Sequence, residues 1–254
     1  MKNLLFFLML SSVFVACKKK STTNTSNPTN TISDSCGSNP KINFTCIGSP
    51  IGKFSSCIKD IEGNVYKTVT IGNQTWMAEN LKVSKYSDGT TIPNITEIVQ
   101  WQKNITGSWS YFNNDSVNNA KYGKLYNWYS VSKMSNGNKN ICPTGWRVPS
   151  DLDWSELIDF IGDNAGAKMK EIGITSWKLK NSDATNSSLF TALPGVIQGG
   201  DGVGYHGVWW SLIETNKYNA KTLFLTYNFG ITTVNEVESG KENFFSVRCI
   251  KDSL

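Results

Sequence analysis

Only one stretch of this 254-residue chain carries a sustained helical period, and that constrains the fold more than any other feature. Trp154, Leu157, Ile158 and Ile161 recur at the spacing of one helical face. Ser150, with Asp153 three residues on, resembles a capping box in which Asp replaces Glu. Gly162 supplies a stop. A second, shorter helix is expected from about residue 165 to 172, ended by Gly173. Elsewhere the chain reads as short strands. Val65, Val69 and Ile71 alternate with Tyr66, Thr68 and Thr70, and Gly72-Asn73 separates them from Gln74-Thr-Trp-Met77, the pattern of a hairpin. Further strands are expected around 188–193, 208–213, 222–227, 231–234 and 244–250. Residues 80–130 are rich in aromatics but show little period, and read as long irregular loops. The pattern predicts an α+β fold: short antiparallel strands with one or two helices packed on them and long irregular loops.

The N-terminus gives an address. Lys2 precedes an apolar run from Leu4 to Val15. That run is too short to span a bilayer, which takes roughly 18 residues or more, and it reads as a secretory signal over residues 1–16. Phe14-Val15-Ala16-Cys17 resembles a bacterial lipobox, with Phe14 where Leu is usual. The resemblance makes Cys17 the lipidated first mature residue; an ordinary secretory signal with an incidental Cys is the alternative. A lipid anchor in a bacterial membrane is expected, with the outer membrane of the envelope as the location. Ten of the eleven residues from Ser21 to Thr31 are Ser, Thr or Asn. Such a segment cannot bury apolar surface, so residues 17–40 are expected to be a tether that adds nothing to stability. Residues 41–57 form a Cys-containing lead-in.

The charge balance excludes one class of partner. Of the net +5, four charges come from Lys2, Lys18, Lys19 and Lys20, leaving +1 for residues 21–254. No basic domain face is expected, and hence no nucleic-acid partner. One histidine excludes two-His metal sites and three-His iron sites. Cys36, Cys46, Cys57, Cys142 and Cys249 lack CxxC spacing, so no metal, cofactor or catalytic thiol is expected. Export permits disulfides, and an odd count leaves one thiol over. Cys46 with Cys57 across the Gly48–Gly52 turn is the expected local pair, leaving Cys36.

Seven ordered motifs carry a resemblance. They are Asp60-Ile-Glu-Gly-Asn-Val-Tyr66, Gln74-Thr-Trp-Met-Ala-Glu-Asn-Leu81, Tyr122-Gly-Lys-Leu-Tyr-Asn-Trp-Tyr129 and Cys142-Pro-Thr-Gly-Trp-Arg-Val-Pro-Ser150. Ala192-Leu-Pro-Gly195, Trp209-Trp-Ser211 and Phe245-Ser-Val-Arg-Cys-Ile-Lys-Asp252 complete the set. In this order they resemble the Fibrobacter succinogenes major paralogous domain, over residues 58–252. Departures are Val196, where a second Gly is common, and Leu212-Ile213, where Ser-Thr is usual. The resemblance implies a compact lectin-like domain related to C-type lectins and formylglycine-generating enzymes. It also implies a disulfide between Cys142 and Cys249, since related folds join mid-domain to the last strand in this way; two buried thiols are the alternative. Cys249 alternates with Val247 and Phe245 on what should be an inner face.

The chemical candidates are sparse. Gly202-Val-Gly-Tyr-His-Gly207 matches GxGxxG, but the expected strand after it argues against a dinucleotide loop. The cysteine pair and three-His site of the superfold's enzymes are missing, so no enzymatic activity is expected. Asn113-Asn-Asp115 and Asp201 could supply Ca²⁺ oxygens, or serve as solvated turn residues. Trp101, Trp109 and Tyr111 are candidates for stacking on sugar rings, as the lone His206 is for a contact at a loop rim. The expected function is a lipid-anchored binding module for polysaccharide or another extracellular ligand. The alternatives are a structural or protein–protein component of the envelope, and a divergent enzyme of the formylglycine-generating superfold.

Overall fold

The structure is a computed structural model that describes residues 51–253, apart from 174, 179–180, 182, 196–203 and 229–230. Cys17, the tether, Cys36, Cys46, Val196 and Asp201 lie outside the described residues.

The chain opens with β1 (Lys53–Lys59), β2 (Val65–Ile71) and β3 (Gln74–Met77). β2 and β3 form the expected hairpin, with Ile71 opposite Gln74. Gly72 takes φ 60° while Asn73 does not turn positive, the signature of a turn with glycine at its first central position. The irregular stretch that follows holds only short elements. These are α1 (Ile98–Lys103), β4 (Trp109–Tyr111), two 3₁₀ turns, α2 (Asn119–Tyr122), β5 (Lys124–Tyr126) and α3 (Trp128–Val131). Then come β6 (Trp146–Arg147), α4 (Asp151–Ile161) and α5 (Ala165–Met169). The chain ends with β7 (His206–Glu214), β8 (Asn219–Asn228), β9 (Ile231–Gly240), β10 (Phe245–Ser246) and β11 (Ile250–Lys251). The fold is α+β, with two sheets in the orders β1-β2-β3-β11-β6 and β4-β5-β10-β7-β8-β9.

α4 begins and ends as its sequence demands. The Ser150 hydroxyl accepts from the Asp153 N–H, and the Asp153 carboxylate accepts from the Ser150 N–H at 2.7 Å, a reciprocal capping box. Arg147 donates to both Asp153 oxygens, at 2.5 and 2.7 Å. Burial alone would push the Asp153 carboxyl up, but Arg147 and Ser150 outweigh it and hold the group below the usual carboxylate range. Gly162 closes the helix at φ 69°. Trp154, Leu157 and Ile161 are buried, with Trp154 stacked on Trp76 at 4.6 Å.

Four expectations need correction. The second helix stops at Met169 rather than 172, because Lys170 turns extended and bridges Ala192. Residues 188–193 are no strand beyond that bridge. Leu189 and Thr191 take positive φ, which a ladder cannot accommodate. The run 244–250 is not one strand. It leaves the six-stranded sheet after β10 and enters the five-stranded sheet at β11, so Val247, Arg248 and Cys249 cross between them. The sheets are also not wholly antiparallel, since β10 pairs with β7 in parallel.

That crossing segment organises the core. Phe245, Val247 and Cys249 face one hydrophobic cluster with Trp128, Trp146 and Trp210, while Ile250 faces a second with Trp76, Trp154 and Trp209. Cys249 is bonded to Cys142, with an S–S distance of 2.02 Å. Cys57 is disulfide-bonded as well; the expected pairing with Cys46 falls outside the described residues. Among the described residues no helix is long and apolar enough to cross a membrane.

Candidate functional site

The residues that carry the motifs are spent on the scaffold. Asp60 accepts four hydrogen bonds: Oδ1 from the N–H groups of Glu62 and Asn64, and Oδ2 from Asn64 Nδ2 and the Tyr66 hydroxyl. Asn80 Oδ1 takes donors from Trp209 Nε1 and from Arg248 Nε and Nη2, at 2.6–3.2 Å, while its Nδ2 donates to the Tyr122 carbonyl and the Ser246 hydroxyl. Trp128 and Trp210 donate to the carbonyls of Ser211 and Tyr126. Buried polar groups must be paired, and these pairings fix the crossing segment in place.

Arg248 is the extreme case. Its side chain is 0% exposed and meets no carboxylate among the described residues. Its acceptors are Asn80 Oδ1 and the Phe190 carbonyl, and its guanidinium lies 4.3 Å over the Phe190 ring. Burial pulls it down to about 9, so it remains charged at neutral pH. It is inaccessible, and it ties the crossing segment to the loops that carry Asn80 and Phe190.

The predicted ligand-contact residues do not form one site. Trp101 and Trp109 are only 6% and 7% exposed, and their indole N–H groups donate to the Ile95 and Ile92 carbonyls. Trp101 packs on Phe244, whereas Trp109 meets Tyr111 edge-on at 4.9 Å. The ammonium of Lys124 sits 4.4 Å over the Trp109 ring and donates to the Lys82 carbonyl, so the protein's own cation occupies that aromatic face. Tyr111 remains half-buried beside it. His206 opens β7, two strands away from the strand next to β4, with β5 and β10 between. At about 4.8 Å per strand that separates it from Trp109 by roughly 14 Å. His206 lies 5.0 Å from the Phe224 ring, its Nδ1 has no hydrogen-bond partner among the described residues, and burial lowers its basicity.

The glycine motif ends in β7, with no helix opening from it. A Cβ on Gly207 would stand 2.5 Å from the Trp209 ring and 2.8 Å from the Leu193 carbonyl, so this glycine serves packing. No group of three or more His, Cys, Asp or Glu is placed to hold a metal among the described residues.

One cleft is open beside the Cys142–Cys249 bond, with a volume of about 230 Å³. Val83, Ile141, Cys142 and Pro143 make its buried floor. Its rim carries Lys59, at the end of β1, and Lys85, whose backbone bridges Thr91. Both lysines are exposed, and neither has an ion pair or side-chain hydrogen bond among the described residues. Ser87 and Thr144 add hydroxyls. The motifs mark half of its lining, Asp60, Ile61, Cys142, Pro143 and Thr144, but nothing in the sequence signals Lys59 and Lys85, because scattered lysines read as solvated surface and only folding brings residues 59, 85 and 144 together.

The model of the Fibrobacter succinogenes major domain matches residues 69–251. The chain belongs to that family. No curated protein and no solved structure matches it. In this family member the motifs build much of the interior, and the open cleft is lined both by motif residues (Asp60, Ile61, Cys142, Pro143 and Thr144) and by residues outside them, its two lysines among the latter.

Proposed function

We propose that this family member is a lipid-anchored binding module of the bacterial envelope, without catalytic activity, that takes a polysaccharide or another extracellular ligand through a lectin-like fold. The anchor rests on the lipobox-like segment ending at Cys17 and the tether after it. One observation carries the binding reading. Asp60, Asn80, Trp128, Trp210 and Arg248 are engaged by internal partners, whereas the cleft beside Cys142–Cys249 presents the side chains of Lys59, Lys85, Ser87 and Thr144 with none among the described residues. An apolar floor with a few convergent polar groups is the usual make-up of a small-ligand site. The non-catalytic reading draws on Asp60, the cleft's own carboxylate. Four donors fill the roughly four lone-pair positions of its two oxygens, so it has no capacity left to act as a base.

The test is binding of the detergent-solubilised full-length protein to a panel of soluble glycans and insoluble polysaccharides. Retention on at least one class is expected, and retention on none overturns the reading. Cys17→Ser is expected to leave the protein unprocessed at Ala16 and free of the lipid-extracted fraction. Processing and membrane retention equal to the unsubstituted protein would refute the anchor. A second reading, a protein–protein component of the envelope, is favoured by Val99 and Ile105, which are 63% and 74% exposed at and just beyond α1.

A further inference from the structure

We propose that the cleft beside Cys142–Cys249 selects an acidic sugar residue, with the ligand's carboxylate held between the ammonium groups of Lys59 and Lys85. This rests on the glycan-binding reading above and narrows it to a ligand class.

Charge gives the first reason. Two cations, Lys59 and Lys85, share the rim of one small cleft with a single lining carboxylate, Asp60, and neither lysine forms an ion pair with it, so the lining carries a net positive charge. Neutral donors turn the Asp60 and Glu62 carboxylates away from ion pairing: Asp60 accepts from four, and Glu62 accepts from the Ser84 N–H at 2.6 Å and the Ser84 hydroxyl at 2.5 Å. A concavity whose lining carries more positive than negative charge favours an anionic ligand group.

Size and lining give the second. At about 230 Å³ the cleft lies below the roughly 300–1,000 Å³ of pockets that enclose drug-sized ligands. It suits one ring or one terminal group of a chain that continues into solvent. Val83, Ile141 and Pro143 offer an apolar floor to the C–H face of a ring, while Ser87 and Thr144 can exchange hydrogen bonds with ring hydroxyls. A lone inorganic anion would leave that floor uncovered.

The floor is also firm. Cys142 is fully buried and tied to Cys249, whose carbonyl accepts from Met77 N–H at 3.0 Å, so the cleft is built on the crossing segment. A preformed site loses little freedom on binding.

The experiment uses the full-length protein in detergent and three titrants at equal ionic strength: a uronic-acid oligosaccharide, its neutral methyl ester, and inorganic phosphate. The acid is expected to bind at least tenfold more tightly than the ester, and the difference should shrink as salt rises. Lys59→Gln with Lys85→Gln should abolish that tenfold preference while leaving the melting temperature unchanged, since neither side chain has an internal partner. Equal binding of acid and ester, or an unaltered preference in the double variant, overturns the acidic-sugar inference while leaving glycan binding intact. Phosphate displacing the acid at equal concentration also overturns it, because the ring then contributes nothing. Binding of neither oligosaccharide, together with failure on the wider glycan panel, overturns both readings.

Discussion

Among the cations of this domain that lack a carboxylate partner, buried Arg248 and the exposed pair Lys59 and Lys85 have opposite meanings. Arg248 lies between the sheets, closed off from water, and its charge is met by two carbonyl oxygens and an aromatic face. Lys59 and Lys85 stand exposed at an open cleft, with no ion pair or side-chain hydrogen bond among the described residues. An unpaired buried cation would cost several kcal/mol, so the interior supplies acceptors and the group becomes part of the scaffold. An exposed cation carries almost no such penalty. It can stay unpaired at negligible cost to stability, and is therefore free to serve a ligand. The difference teaches that internal satisfaction, rather than charge, separates framework from site.

The disulfide touches both regions, because Cys142 floors the cleft and Cys249 neighbours Arg248. Cys142→Ser with Cys249→Ser removes a crosslink spanning 107 residues of sequence. The chain-entropy model gives about 4–5 kcal/mol for such a loop, and native disulfides commonly give about 2–5. A urea titration should show a loss in that range, together with weaker ligand binding. Unchanged binding in the destabilised but folded variant would separate the cleft from the crossing segment.

Arg248→Met should lower stability by about 1–3 kcal/mol, since it leaves the buried Phe190 carbonyl without a donor while Asn80 Oδ1 keeps that of Trp209. Lys cannot substitute, because one ammonium lacks the planar fork that spans Asn80 and Phe190. Arg248→Lys within about 0.5 kcal/mol of wild type would refute the scaffold role.

Asp153 sharpens the contrast by giving a third cation, Arg147, a proper carboxylate partner. Its folded pKa is depressed, so its contribution is fully present above the unfolded value near 3.9 and is lost as pH falls through the folded value. Stability should therefore drop below about pH 4. Asp153→Asn should lose stability at neutral pH and show a shallower acid limb. A parallel acid limb in the variant would mean that other carboxylates dominate.

The smallest effect is expected at the cleft. Lys59→Gln and Lys85→Gln should each change stability by less than about 0.5 kcal/mol, as partnerless surface substitutions do. A loss above 1 kcal/mol would show that these lysines belong to the framework after all.

Much of the fold was legible in local pattern. The β2–β3 hairpin and α4 were read to the residue because turn glycines, alternation and a capping box act over a few positions. β4 and β5 were not legible. Three residues each cannot show a period, and pairing alone makes them strands. The candidate site was less legible still. Aromatics in loops suggested a stacking surface, but Trp101 and Trp109 went inward, because a large ring whose N–H finds a carbonyl gains more from burial than from solvent.

From the sequence alone came the α+β class, the family and the principal helix with its caps, while the family resemblance implied the Cys142–Cys249 bond. Each of these rests on spacing, on short-range hydrogen bonding or on a motif order that survives without coordinates. Only the tertiary structure decided that residues 245–251 cross from one sheet to the other, that Lys124 covers Trp109, and that Lys59 and Lys85 share a cleft. These depend on contacts between residues far apart in the chain, which are fixed by how the two sheets pack and not by any local preference.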